Sequence, residues 1–344
     1  MNKLTKIGVS ALAGSLVSFA ATAGELSVTG TANLTYTNED LTNSASTATP
    51  SNSTGNPFGH ASDLAFNGSG DMNGYTVSFF AAIDAGGAAY ASNSISMDMG
   101  DMGKIKFDQG VGGNGVESID DKSPTAWEES WDGITAGDGL KTTGAQNVFT
   151  YTNTVAGFGL NVAYDTEIDD SRTADGATGA AGTSIDGSNT SFAITNATLV
   201  DGLDVGFGMG ETDVKDGTTT ATDIETIIGY ANYTIGGVTL GLTQGEQSGG
   251  AAGHDMHEMQ AYGIAFAVNE NLSVSYNSHD DTYKKTSGTG TTVNNDKSTD
   301  KEGIAIAYSM GGASVKIQNN ETDGSSTSAT YTEDRTEVNL SLAF

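Results

Sequence analysis

Two histidines stand close together in the segment His254-Asp255-Met256-His257-Glu258 and invite a metal interpretation. Their spacing, H-x-x-H-E, differs from the H-E-x-x-H and H-x-x-E-H patterns in which two histidines and a glutamate serve a catalytic zinc ion. The segment precedes a predicted strand, and histidines in such a position are usually solvated. We therefore interpret it as part of a solvated external loop and expect no metal site there.

Other catalytic patterns receive no support from the sequence, which contains no cysteine and no G-x-S-x-G. The glycines of Gly206–Gly210 lie inside an alternating strand, whereas a phosphate-binding loop would open a helix. The run Gly112–Gly115 matches one calcium-binding nonapeptide, but no tandem repeats follow it. We expect a protein that is not an enzyme and has no cofactor.

Acidic residues dominate the charge, with 43 Asp and Glu against 14 Lys and Arg and a net charge of −29. This balance argues against nucleic acid as a partner, because phosphate binding needs clustered basic residues. Acid-rich loops can bind calcium through carboxylate and carbonyl oxygens, and Asp169-Asp170 and Asp280-Asp281 are the candidates. Adjacent acids on a loop are usually only hydrated, so loop-bound calcium is the less favoured interpretation.

The N-terminal segment has the pattern of a secretory signal peptide. Lys3 and Lys6 precede an apolar run over residues 7–20, and the small residues of Ala21-Thr22-Ala23 follow. The run is shorter than the roughly 20 apolar residues of a membrane-spanning helix. We predict a leader over residues 1–23, cleavage after Ala23, and a mature chain over residues 24–344.

Alternating stretches of roughly ten residues recur from Glu25 onwards, which predicts β-strands. One face carries large apolar residues, and the other carries mainly Ser, Thr, Asn, Gly and Ala. The apolar set includes Tyr75, Val77 and Phe79 and, in a later strand, Ile228 and Tyr230. About sixteen strands can be counted. Short turns alternate with long acidic loops, namely 166–189, 211–222, 279–301 and 320–334.

This segregation of loop lengths predicts an all-β transmembrane antiparallel barrel with short periplasmic turns and long external loops. The small polar face suits a water-filled lumen, and only closure satisfies the backbone in lipid. The last strand places Val338, Leu340, Leu342 and Phe344 on its apolar face. We expect it to pair with the strand that begins at Leu26. A soluble all-β protein is the alternative.

Together these features resemble the general bacterial outer-membrane porins of the sixteen-stranded family, particularly those of alphaproteobacteria. The resemblance rests on the Ala23 cleavage site, the hairpin 97–108, the hairpin around Ala156-Gly157-Phe158 and the terminal strand that ends at Phe344. It implies export through the periplasm to the outer membrane of a Gram-negative cell, contact with outer-membrane lipid, and a homotrimer. It also implies that Val338, Leu340, Leu342 and Phe344 form a signal to the barrel-assembly machinery.

In that family the third long loop folds into the lumen and narrows it, and residues 110–145 occupy the matching position. The segment is acidic and contains both tryptophans, Trp127 and Trp131, which we expect to pack against other residues. A solvated external loop is the alternative. The acids proposed to line the constriction are Glu117, Asp120, Asp121, Glu128, Glu129, Asp132 and Asp138.

Family porins oppose this loop with clustered basic residues, whereas here inward parity offers only Lys104, Lys106, Lys316 and Arg335. The predicted potential is therefore negative. The second long loop, 84–88, is short, which makes trimerisation less secure than the resemblance alone would imply. The resulting hypothesis is passive diffusion of small hydrophilic solutes and cations through a cation-selective pore. A secreted or surface-attached β-rich protein without a pore and a substrate-specific channel are the alternatives.

Overall fold

The computed structural model describes residues 24–43, 55–84, 92–134, 140, 146–165, 186–214, 222–250, 256–284, 297–325 and 330–344. The predicted leader over residues 1–23 lies outside these residues, and so does most of the short second loop, 84–88. Asp138 and the Asp169-Asp170 pair are outside them as well. These features stay predictions.

Sixteen antiparallel strands form one closed barrel in which each strand pairs with its neighbours in sequence, and β1 pairs with β16. The strands are β1 (Glu25–Asn43), β2 (Phe58–Met72), β3 (Tyr75–Asp84), β4 (Ser92–Asp98), β5 (Lys104–Gln109), β6 (Gln146–Val155), β7 (Phe158–Asp165), β8 (Asp186–Asn196), β9 (Leu203–Val214), β10 (Thr222–Ile235), β11 (Val238–Gly250), β12 (Met256–Ala267), β13 (Leu272–Lys284), β14 (Lys297–Met310), β15 (Ala313–Ser325) and β16 (Thr330–Ala343). Short 3₁₀ helices span Gly100–Met102 and Gly115–Ile119. Among the described residues, no helix is long and apolar enough to cross a membrane.

The terminal strand closes the barrel as the sequence predicts. Leu34 lies opposite Leu340, and Tyr36 lies opposite Val338. The Phe344 N–H donates to the Gly30 carbonyl at 2.9 Å, and the Gly30 N–H donates to the Phe344 carbonyl at 3.2 Å. The backbone of the final residue therefore belongs to the hydrogen-bonded seam.

Large apolar side chains cover the outside of the barrel. Phe79, Phe149 and Ile304 are 45%, 52% and 56% exposed, and similar residues recur around the wall. A soluble protein rarely exposes so continuous an apolar surface, whereas a barrel in lipid requires it. The inward positions between them carry mainly small polar residues, such as Ser96, Ser191 and Ser275.

Several strands continue into regions that the sequence indicated as loops. β13 ends at Lys284 and β14 begins at Lys297, so the predicted loop 279–301 is wrong at both ends. The predicted loop 320–334 is also shortened at both ends, 166–189 only at its C-terminal end, and 211–222 mainly at its N-terminal end. Above the apolar band both faces of the wall are polar, so hydropathy alternation disappears although the hydrogen-bonded pairing continues.

The predicted facing of Ile228 and Tyr230 on the apolar outer side of β10 is also wrong. Ile228 pairs with Gly208 and Tyr230 with Gly206, which places both side chains inside the barrel, where they are 0% and 7% exposed. Ile227 faces outward instead. The run of two isoleucines offers an apolar residue at either parity, and a shift of one residue exchanges the two faces.

Candidate functional site

The described part of segment 110–145, residues 110–134 and Leu140, lies against the inner wall of the barrel. We call it the inner segment. The Gly115 N–H donates to Asn161 Oδ1 on β7 at 2.9 Å, and the Ala126 N–H donates to Ser275 Oγ on β13 at 2.8 Å. At its far end, Asn320 Nδ2 on β15 donates to the Asp132 carbonyl at 2.9 Å. The inner segment thus follows the wall from β7 to β15.

A buried polar network fixes the start of the inner segment. Asp108 Oδ1 accepts from the Val111 N–H at 2.7 Å, and its Oδ2 lies 2.6 Å from Lys106 Nζ. Lys106 Nζ also donates to the Gly112 carbonyl at 2.9 Å. Buried Asn114 accepts from Thr150 Oγ1 at 2.6 Å and caps the 3₁₀ helix Gly115–Ile119. Lys106, predicted as a pore-wall cation, therefore holds the inner segment in place.

Glycines on β9 make room for the apolar part of the inner segment. A Cβ atom on Gly208 would lie 2.9 Å from Ile119 Cδ1 and 3.1 Å from Val116 Cγ2. Val116 and Ile119 are buried in a cluster that also contains Leu140, Ala193, Ile228, Tyr230 and Met259. This docking explains why the glycines at Gly206–Gly210 alternate inside a strand, and why β10 turns two large apolar residues inward.

Side chains of β15 and β16 hold the turn at residues 129–133. Gln318 Nε2 donates to the Glu129 carbonyl at 2.9 Å, and Arg335 donates from Nη1 to the Gly133 carbonyl. Arg335 Nη2 also lies 2.9 Å from Glu337 Oε2. Gly133 has a φ of 74°, and a Cβ atom there would lie 2.8 Å from the Arg335 guanidinium carbon. Only glycine adopts this turn without strain or a clash.

Both tryptophans of the inner segment pack against inward residues. The Trp131 and His279 ring centroids are 4.3 Å apart, and Lys316 Nζ lies 5.7 Å from the centre of the Trp127 ring. Lys316, another predicted pore-wall cation, therefore meets an aromatic face within cation–π range.

A buried charge cluster on β12, β13 and β14 lies behind Trp131. Asp281 accepts from His257 Nε2 at 2.7 Å and from His279 Nε2 at 3.0 Å, and it pairs with Lys301. The interpretation of His257 as part of a solvated loop is therefore wrong. Asp281 is not a hydrated loop residue either, and Asp280 faces the opposite side of the wall. The sequence could have indicated this cluster, because His257, His279, Asp281 and Lys301 all occupy inward positions on adjacent strands.

The acids of the inner segment have raised pKa values. Burial, reinforced by Asp121 and Asp132, raises the pKa of Glu129 to about 8. Burial is also the main cause that raises the pKa of Glu117, Asp121, Glu128 and Asp132. Asp120 is half-buried. Asp121, Glu128, Glu129 and Asp132 lie close enough to affect one another's charge, whereas Glu117 lies beside Asp108 and Lys106 at the start of the inner segment.

We expect the effective negative charge of the inner segment to rise with pH. Its carboxylates lose protons at a higher pH than free ones, so the preference for cations that the sequence predicts should increase as the pH rises through about 8. Reversal potentials measured across a pH series test this. The Glu129→Gln variant should lose the part of the transition near pH 8, and a pH-independent selectivity in the unmodified chain would contradict the expectation.

The same shift has a consequence for stability. Glu129 binds more protons in the folded chain than in the unfolded chain between pH 4.5 and about 8. Attachment of the inner segment should therefore be strongest below pH 4.5 and weaken until about pH 8. Limited proteolysis within residues 110–145 at increasing pH should show faster cleavage, and Glu129→Gln should flatten that dependence.

The wall of β1 to β5 bears mainly neutral inward residues near the short-turn rim. Ser27, Ser78, Ser94 and Ser96 line one cavity there, together with the charged residues Glu25 and Lys104. Lys104 is the fourth predicted pore-wall cation, and it is exposed. No cluster of arginines stands on this part of the wall among the described residues.

The four residues of the predicted assembly signal lie at the short-turn end of β16. Leu340 and Leu342 are each 38% exposed on the outside, and Phe344 is 79% exposed. Val338 is half-buried on the same face, opposite Tyr36.

One group of acids on the outer surface has a geometry that could hold a metal ion. Single carboxylate oxygens of Glu211, Asp213 and Asp223 lie within 4.8 Å of one another. All three residues are exposed, and such acidic groups are common without a bound ion. We assign no function to this group.

Comparison with known proteins identifies the architecture. No protein-family model and no curated protein matches the sequence. Among solved structures, the chain is similar to an anion-selective porin from Comamonas acidovorans, with a TM-score of 0.61 and 14% identity over 94% of this chain and 100% of that one. It is also similar to OmpF of Salmonella typhi in complex with daunomycin, with a TM-score of 0.63 and 13% identity over 93% and 98% of the two chains. A third similar structure is the trimer form of the Vibrio cholerae outer-membrane protein OmpT, with a TM-score of 0.63 and 10% identity over 94% of this chain and 100% of that one.

The chain therefore has the closed sixteen-stranded fold of the bacterial outer-membrane porins. At these identities the likeness establishes the fold alone. One of the three similar proteins is described as anion-selective, so the fold does not carry a charge preference. The alphaproteobacterial part of the resemblance stays a prediction.

Proposed function

We propose that this protein is a passive diffusion channel of the outer membrane, through which small hydrophilic solutes and cations cross an aqueous lumen. The observation that carries the proposal is the difference in polarity between the outer and inner faces of one closed barrel wall. Its outside is apolar, and its inside is lined mainly by small polar residues. A secreted protein without a pore would have no use for so large an exposed apolar surface. The proposal involves no catalytic step and no metal.

The inner segment is the proposed constriction. It lies inside the wall and brings acids into the lumen, where fixed carboxylates would concentrate cations and repel anions. Lys106 and Arg335 would serve mainly to hold the segment, because each donates to one of its carbonyl groups. The net field of the lumen would then remain negative.

Outward charges are distributed unevenly around the barrel, which supports a homotrimer. The described outward positions of β2 to β8 carry no Asp, Glu, Lys or Arg. The outward acids lie on β9 to β16 and on β1, towards the long-loop rim: Asp40, Glu211, Asp213, Asp223, Glu225, Glu246, Glu258, Asp280, Asp300, Glu302, Glu321, Asp323 and Asp334. We propose that the uncharged arc meets neighbouring subunits and that the acidic arc faces the headgroups of outer-membrane lipid.

The exposed end of β16 would be read by the barrel-assembly machinery before its edge is closed. Deletion of Phe344 should reduce the folded, membrane-inserted fraction severalfold, because it removes the exposed aromatic ring and the two hydrogen bonds to Gly30. The Phe344→Ala variant keeps the backbone pair and separates these two causes. The measurement is the folded fraction on gels of unheated cell-envelope samples. Normal assembly of both variants would remove the terminal residue from the proposed signal.

Liposome swelling tests the proposed function. Vesicles that contain the refolded chain should swell in iso-osmotic solutions of small sugars, and the rate should fall steeply as the sugar grows. Deleting residues 116–132 should raise the rate for the larger sugars, because it removes most of the inner segment together with its contacts to β13 and β15. Vesicles that swell no faster than protein-free ones would contradict a diffusion channel.

A further inference from the structure

Two lysines inside the barrel lack the contacts that engage the other cations. Among the described side chains, the engaged ones are Lys106, Lys284, Lys301 and Arg335, which form ion pairs, and Lys316, which lies over Trp127. Within the part of the chain that the structure describes, Lys104 and Lys122 form no ion pair and lie over no aromatic ring. The charge of Lys122 acts on the carboxylate of neighbouring Asp121, but the two form no ion pair among the described side chains. In a protein of net charge −29, two ammonium groups in the lumen without an ion pair are unusual.

Both lysines line the same cavity, which has a volume of about 710 Å³. It lies on the β4 to β10 side of the lumen, close to the short turns and next to the inner segment. Lys104 begins β5, whereas Lys122 belongs to the inner segment, where Asn232 Nδ2 donates to its carbonyl at 2.8 Å. The backbone of each lysine is therefore fixed, and its side chain is available to a solute.

Carboxylates line the same cavity. Asp98 accepts from the Gly100 N–H at 2.9 Å, and Asp204 accepts from the Tyr230 hydroxyl at 3.0 Å. Asp101 is exposed, and none of the hydrogen bonds or ion pairs within the described residues engages its carboxylate. With two ammonium groups and three carboxylates, the cavity carries both signs of charge and a small negative excess.

We propose that this cavity is a binding subsite for zwitterionic solutes, such as amino acids and short peptides. Lys104 and Lys122 would receive the carboxylate of the solute, and Asp101 with Asp98 would receive its ammonium group. A simple anion is disfavoured twice, by the negative excess of the cavity and by the acids of the inner segment that it must pass. The inference rests on the proposed diffusion function and names a solute class for it.

Block of the ion current by glycylglycine in planar bilayers tests the subsite. At low salt, glycylglycine should reduce the current through the unmodified channel at lower concentrations than a polyol of similar size or acetate. Each of Lys104→Gln and Lys122→Gln should raise the half-blocking concentration about threefold, as expected for a partly exposed ion pair, and the double variant should raise it about tenfold. Lys284→Gln removes the same charge from the outer surface and should leave the block unchanged.

The outcomes separate the subsite from the channel. Equal block by glycylglycine and the polyol, or an unchanged block in the double variant, would overturn the subsite while the ion current still supports the channel. Stronger block by acetate than by glycylglycine would replace the zwitterion by a simple anion and overturn the proposed class. A preparation that conducts no ions would overturn the diffusion function together with this inference.

Discussion

At a pH above about 8, where Glu129 is ionised, joint replacement of Asp120, Asp121, Glu128 and Glu129 by their amides should lower the permeability ratio of potassium to chloride severalfold. Cation preference in such a lumen comes from fixed carboxylates, and a charge-lined cleft can change local ion concentrations by about tenfold or more. The cavity on the opposite wall near the short turns is lined mainly by serines, and its charged residues are Glu25 and Lys104, whose opposite charges offset each other. The loss should be largest at low salt, because screening shortens the range of the field.

The matched control for this change lies on the outer surface. Amide replacement of Asp300, Glu302, Glu321 and Asp323 removes the same number of charges from the outward face of β14 and β15. We expect little effect on the permeability ratio, since the barrel wall separates these acids from the lumen. Equal effects of the two quadruple variants would mean that net charge, rather than the inner segment, sets the selectivity.

The second large effect is expected for the stability of the wall. Lys301→Met should destabilise the barrel by about 3 kcal/mol, because it leaves the buried carboxylate of Asp281 without its ammonium partner. The hydrogen bonds from the two histidines to Asp281 remain, but they do not replace the ammonium group of Lys301. The measurement is the unfolding temperature, at which the gel band of the folded barrel disappears when samples are heated before electrophoresis.

Lys284→Met is the control for this variant. It removes a lysine that is paired with Glu258 at a partly exposed site on the outer side of the same wall region, where an ion pair contributes less than about 1 kcal/mol. A double variant, Lys301→Met with Asp281→Asn, should recover part of the loss because it removes the uncompensated charge. If Lys301→Met unfolds at the same temperature as Lys284→Met, the buried cluster does not stabilise the wall as we describe.

The fold was largely predictable because lipid imposes a strict alternation on the membrane-facing part of each strand. Leu34, Leu340 and their neighbours alternate clearly, so strand number, closure and the pairing of β1 with β16 follow from the pattern. The alternation fails where the environment is polar on both sides, as at His279 to Lys284. It also fails where an internal segment covers the wall, as at Ile228 and Tyr230, since an inward apolar residue then has a partner.

The candidate site was predictable in composition but not in contacts. Inward parity selects Lys106 and Arg335 from the sequence, but only the three-dimensional path of the inner segment shows that both donate to its carbonyl groups. Lys122 was seen only as a charge within an acidic loop. Its availability to a solute depends on Asn232, which lies 110 residues away in sequence.

The reversal potential under a potassium chloride gradient tests the central claim most directly. The measurement is made on single channels of the refolded chain at a pH above about 8, where Glu129 is ionised. The reversal potential should have the sign that potassium flow down the gradient produces. This result would agree with a water-filled lumen whose acids face the passing ions. A potential of the sign given by chloride flow, or no conductance at all, would contradict it.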